Sequence, residues 1–140
     1  MSRLVLDCSI TAAWFFEDET SALAEHVLGS LVTREAVVPS IWPLEMANVL
    51  VVAERTERVT TAKTEQFLAR LADLPIALDH RDADQGFTAV LGLARLHGLT
   101  AYDAAYLELA LREGLPLATL DGPLHDAASK AGIALVSAGA

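Results

Sequence analysis

The chain has 140 residues, 53% of them hydrophobic, and a formal charge of −9 from 10 basic and 19 acidic side chains. That length suits one ordinary domain, residues 1–140, rather than two, and the charge counts against a nucleic-acid binder of the usual basic kind, because phosphate contacts need Lys and Arg. Cys8 is the only cysteine, which excludes an internal disulfide and a cysteine-based zinc site and leaves it the role of a small buried hydrophobe.

In chain order, residues 4–6 make a short apolar run that predicts a buried strand, ended by Asp7. A helix then carries Ile10 to Phe16, with Asp7 as its expected cap. Leu23, Val27, Leu28 and Leu31 share one helical face, and residues 36–38 predict a second strand. From 42 to 53 the apolar residues Trp42, Leu44, Met46, Val49, Leu50, Val51 and Val52 surround most of a helix axis, where a surface helix keeps a polar side. Such a helix is either central or set against another chain, and Trp14-Phe15-Phe16 carries the same two readings. Phe67, Leu68, Leu71 and Leu74 form another helical face before a third strand at 76–78. Asp82 with Gln85 reads as a capping box for a helix closing at His97-Gly98, and Thr100 with Asp103 repeats it for a helix ended by Gly114. A fourth strand at 117–120, a helix closed by Gly132 and a fifth strand at 134–136 complete the chain. Strands alternating with helices predict a parallel sheet covered by helices.

Four acids occur where this pattern turns into helices: Asp7, Glu45, Asp103 and Asp121. In an open α/β sheet, ligands bind outside the carboxyl ends of the strands, so acids far apart in sequence can converge there. Convergent carboxylates raise each other's pKa unless a cation holds them ionised, and an all-oxygen set suits a hard ion such as Mg²⁺ or Mn²⁺. Each acid also has a plainer role. Asp7 and Asp121 can cap helices, Asp103 can be the fourth member of a capping box, and Ser9 and Thr11 can cap as well. Glu45 among Leu44, Met46 and Val49 has no such role and needs another reason to be held.

Other chemistries find no motif. His26, His80, His97 and His125 lack His-Glu-x-x-His spacing, and the sequence has no P-loop, no Gly-x-Ser-x-Gly elbow and no Gly-x-Gly-x-x-Gly fingerprint. No apolar run reaches the roughly 18–20 residues of a membrane span, and the start of the chain lacks a signal-peptide hydrophobic region. The expectation is a cytoplasmic protein with no membrane association.

Residues 4–9 (Leu-Val-Leu-Asp-Cys-Ser), 39–48 (Pro-Ser-Ile-Trp-Pro-Leu-Glu-Met-Ala-Asn), 98–107 (Gly-Leu-Thr-Ala-Tyr-Asp-Ala-Ala-Tyr-Leu) and 117–121 (Leu-Ala-Thr-Leu-Asp) followed by Leu124 resemble the successive motifs of PIN-domain proteins. The resemblance is strongest to the small VapC-type toxins of bacterial toxin–antitoxin operons. It implies an α/β fold, a three-layer α/β/α sandwich with a five-stranded parallel sheet in the order 3-2-1-4-5. It also implies an endoribonuclease dependent on Mg²⁺ or Mn²⁺, with Asp7, Glu45, Asp103 and Asp121 as catalytic and metal-holding acids. Ser9 and Thr119 match the family's hydroxyl positions, suited to a phosphate or a water on the metal, and Asn48 matches a structural amide. The implied partners are a cognate antitoxin, an RNA substrate and a second copy in a homodimer. Two rivals stand beside this reading. Asp7-Cys8-Ser9-Ile10-Thr11 is similar to the nucleophile motif of haloacid-dehalogenase-type phosphotransfer enzymes, although Ser9 stands where their acid/base Asp belongs. A non-catalytic PIN-type binding module is the other.

Overall fold

Alternation along four short strands sends apolar side chains to both faces of one sheet. The computed structural model describes residues 2–80 and 83–139. Strands β1 (Ser2–Leu6), β2 (Arg34–Val38), β3 (Ile76–Leu78) and β4 (Leu117–Ala118) pair in parallel in the order β3-β2-β1-β4. Helices α1 (Cys8–Phe15), α2 (Ala22–Ser30), α3 (Trp42–Arg55), α4 (Thr61–Ala72), α5 (Ala83–His97), α6 (Ala101–Glu113) and α7 (Gly122–Lys130) connect and cover them.

Leu4, Leu6, Ala36, Val38 and Ala118 pack on one face with Ile10 and Ala13 of α1 and Ala24 and Val27 of α2. Val5, Val37 and Leu117 pack on the other with Met46 and Leu50 of α3, Phe67 of α4, Tyr106 and Leu109 of α6, and Leu124 of α7. Two covered faces explain why the strands read as continuous apolar runs, and they make the expected three-layer α/β/α sandwich. Full burial of each large side chain contributes about 1.5–3 kcal/mol. Gly114, in the left-handed region at φ 64°, ends α6 and turns the chain into β4.

The fifth strand is a correction. Residues 134–136 lie beside β4, at the position the order 3-2-1-4-5 requires, but join it only through one parallel bridge, Leu117 to Leu135. The fourth strand is shorter than expected too: β4 stops at Ala118 instead of running to Leu120. Beyond it, the Leu120 amide donates to Ser9 Oγ (2.9 Å) and the Asp121 amide to Thr119 Oγ1 (3.0 Å). Side-chain acceptors have taken the donors that a longer ladder would use.

Helix α3 is not central. Met46, Leu50 and Ala53 bury one stripe, while Leu44 (68% exposed) and Val52 (46%) face outward. The Trp14–Phe16 cluster, by contrast, is used within the chain. Trp14 Nε1 donates to the Ala24 carbonyl at 2.8 Å, Phe15 packs on Phe16 and Phe67, and Arg58 lies over the Phe16 ring at 3.7 Å. The capping box expected at Asp82 and Gln85 lies outside the described residues. Among the described residues no helix is long and apolar enough to cross a membrane.

Candidate metal centre

Each of the four acids begins where an element meets the carboxyl edge of the sheet. Asp7 follows β1, and its amide donates to the Ala118 carbonyl (3.0 Å), tying the start of α1 to the end of β4. It occupies the N-cap position of α1, yet its side chain makes no capping bond. Instead the buried carboxylate (4% exposed) accepts from Ser9 Oγ at 2.6 Å and Thr119 Oγ1 at 2.7 Å, both on Oδ2. Ser9 and Thr119 in turn accept the Leu120 and Asp121 amides, so each hydroxyl donates once and accepts at least once. Burial pushes the Asp7 carboxyl above its ordinary value, the two hydroxyls pull it down, and nearby Asp121 raises it again. Asp121 caps α7 by accepting the Leu124 amide on Oδ2 at 2.9 Å.

The other two acids sit in first turns of helices, where the helix dipole favours negative charge. Glu45 on α3 accepts from the Tyr106 hydroxyl on Oε1 at 2.6 Å. Burial raises its carboxyl, the Tyr106 bond lowers it, and Asp7 and Asp103 both raise it. Asp103 belongs to a half-formed capping box, its amide donating to Thr100 Oγ1 at 3.1 Å. Its carboxyl is pushed up to about 6, chiefly by burial, then by Asp121 and Asp7, with Thr100 opposing. Like-charge coupling therefore runs through all four acids, Asp7 with Asp121, Glu45 with Asp7 and Asp103, and Asp103 with Asp121. The structure brings together the acids that the sequence scattered.

Among the described residues, no three Asp, Glu, His or Cys side chains already stand at metal-ligand spacing. The acids are close enough to repel and too far apart to chelate as they stand, so a cation there would be reached by rotamer adjustment or through bridging waters. Their donor set is nonetheless what a hard cation uses: carboxylate oxygens alone, with those of Asp7, Glu45 and Asp103 raised in pKa by burial and repulsion that a positive charge would reverse.

Ser9 and Thr119, expected to meet a phosphate or a water, spend their protons on Asp7. Thr11 is not a cap. It is buried and accepts from Trp42 Nε1 at 3.1 Å, joining α1 to α3. Cys8 is the buried hydrophobe expected, its Sγ 3.3 Å from Met46 Sδ and its thiol pushed up to about 12 by burial and by Glu45 and Asp7. His125 is exposed on α7, its ring beside Asp126. The residue that sequence reasoning passed over is Tyr106. Its signal was the i, i+3 spacing from Asp103, which puts both on one side of α6.

Comparisons with known proteins identify the fold's family. The chain matches the PIN domain over residues 4–130. It is 31% identical over 124 residues to "Ribonuclease VapC3" of Pyrobaculum aerophilum, covering 89% of this chain and 93% of that protein. In three dimensions it is similar to PAE2754 of Pyrobaculum aerophilum, with TM-score 0.70, 24% identity, and 90% and 84% of the two chains covered. A further solved structure is VapC20 of Mycobacterium tuberculosis, described as a sarcin-ricin loop cleaving toxin, with TM-score 0.65, 17% identity, and 95% and 98% covered. A match spanning nearly the whole sheet and all four acids, joined to a relative above 30% identity, settles the kinship: the chain belongs to the PIN-domain family.

Proposed function

We propose that this chain is an endoribonuclease dependent on Mg²⁺ or Mn²⁺ and the toxin of a toxin–antitoxin pair. The observation that carries this reading is the electrostatic convergence of Asp7, Glu45, Asp103 and Asp121, from four separate chain segments, at the carboxyl edge of a PIN fold. The 31%-identical relative named as a ribonuclease supports the choice of RNA.

Asp7 and Asp103 are the proposed direct holders of the cation. Glu45 and Asp121 complete the site, directly or through waters. Such a cation stabilises charge on the phosphoryl oxygens and makes water a stronger nucleophile near neutral pH. Ser9 and Thr119 keep Asp7 in one orientation by holding Oδ2, and Asp121 is steadied by its own capping bond. Phosphodiester hydrolysis at this edge forms a bond from water oxygen to phosphorus and breaks the bond from phosphorus to the 3′ oxygen. The products are a 5′ phosphate and a free 3′ hydroxyl. A haloacid-dehalogenase mechanism is not favoured, since Ser9 has no acid function and donates to Asp7 instead.

The proposed partners are a cognate antitoxin and a second copy of the chain in a C₂ dimer, in a cytoplasmic setting. The outward face of α3, with Leu44 and Val52, supports a protein contact. Light scattering that finds only monomer at micromolar concentration would contradict the dimer.

RNA cleavage tests the activity. Products should appear with Mg²⁺ or Mn²⁺, vanish in EDTA and carry 5′ phosphates. Cleavage that persists in EDTA, or 2′,3′-cyclic phosphate ends, would overturn the mechanism.

A further inference from the structure

Tyr106 is fully buried in the core face shared with Met46, Leu50 and Leu109, where a Phe would pack as well. A buried phenol needs a partner for its hydroxyl, and this one donates to Glu45 Oε1 at 2.6 Å, a length typical of a bond to a charged acceptor. The bond crosses from α6 to α3, sixty-one residues away in sequence. One turn earlier on α6 stands Asp103, so the same stretch of helix presents one acid and restrains another.

We propose that Tyr106 is a positioning residue, whose buried hydroxyl fixes the Glu45 carboxylate through Oε1 and leaves Oε2 as the oxygen that meets a divalent cation or its water. The proposal rests on the reading of the acids as cation holders. It accounts for a Tyr where packing alone asks for Phe, and for a Glu held in the first turn of a largely apolar helix. Without the hydroxyl, Glu45 would be free to turn away from Asp7 and Asp103, which repel it.

Mn²⁺ binding to the full chain, followed by calorimetry without RNA, tests this apart from activity. Tyr106→Phe is expected to weaken Mn²⁺ by roughly 10–100-fold, the loss usual when a group orienting a ligand is removed, while its metal-free melt stays cooperative. In a Glu45→Gln background the same change should have little further effect, because the coupled partner is gone. Unchanged Mn²⁺ affinity in Tyr106→Phe, with Glu45→Gln weakened, overturns the positioning role and spares the acids. Unchanged affinity in Glu45→Gln overturns both. If Tyr106→Phe does not fold, the chain can be labelled with 3-fluorotyrosine, since Tyr102 and Tyr106 are its two tyrosines; Tyr102→Phe assigns the resonances. Added Mg²⁺ should shift the buried Tyr106 signal in the wild type and not in Glu45→Gln. A Tyr106 signal indifferent to Mg²⁺ that calorimetry shows to be bound would overturn the proposal.

Discussion

The two halves of the acidic cluster are built differently. Asp7 and Asp121 stand at the ends of the adjacent strands β1 and β4, inside a web of hydroxyls and amides from Ser9, Thr119, Leu120 and Leu124. Glu45 and Asp103 sit on the first turns of α3 and α6, where one long-range bond, from Tyr106, spans the two helices. Backbone hydrogen bonding makes the strand-end half stiff before any ligand arrives. Both halves carry unbalanced charge, since the Asp7 carboxyl is raised by burial as those of Glu45 and Asp103 are. A cation would therefore find one rigid wall and one adjustable wall.

The largest expected effect removes a charge from each wall. Asp7→Asn and Asp103→Asn should each lower RNA cleavage on the order of 10²–10³-fold or more, the scale of losing one group that stabilises developing charge. Without metal, both should melt at the same temperature as the wild type or higher, because like-charge repulsion is relieved. A variant of either kind that cleaves normally would break the pairing of the walls.

Stiffness gives the next effect. Thr119→Val keeps shape but strips a donor from buried Asp7, and should cost about 1–3 kcal/mol of stability. Thr100→Ala, which removes only the α6 cap beside Asp103, should cost about 1 kcal/mol. Denaturant melts compare them, and equal losses would erase the distinction between the walls.

A smaller effect is set by pH. The Asp103 carboxyl, ordinarily at 3.8, lies at about 6 in the fold, so the folded chain binds that proton more tightly than the unfolded one. The resulting stability is fully present below about pH 4 and is lost as pH rises through 6. Metal-free protein should thus be more stable at pH 5 than at pH 7.5, by less than about 1 kcal/mol once partial solvent exposure is discounted. Asp103→Asn should reduce that difference, the raised Asp7 and Glu45 carboxyls carrying what remains.

Much of this was legible in the sequence, for reasons that differ by region. Residues 4–6, 36–38 and 76–78 are strands because short all-apolar runs between turn residues fit a sheet covered on both faces. The fourth and fifth strands were over-read, because nothing in Thr119 and Leu120 announces that hydroxyls, not a neighbouring strand, take the next amides. Asp7 looked like a cap, which is how a lone Asp after a strand ordinarily behaves; only the fold shows its side chain turned inward to two hydroxyls. Tyr106 in an apolar helix reads as core and is core, and its second role depends on a contact with Glu45 that no local pattern encodes. The sequence left Trp14 and Phe16 between a core and an interface reading because their partners, Ala24 on α2 and Arg58 between α3 and α4, lie further along the chain.

The most direct test of the central claim, that four acids from four segments act as one cation site, is thermal melting with and without Mg²⁺ for the wild type and the amide variants of Asp7, Glu45, Asp103 and Asp121. Mass action predicts a gain of about 2.7 kcal/mol for the wild type when the ion is a hundredfold above its Kd. The gain should be smaller in every variant and smallest in Asp7→Asn and Asp103→Asn. Equal gains in all five proteins would contradict a shared site.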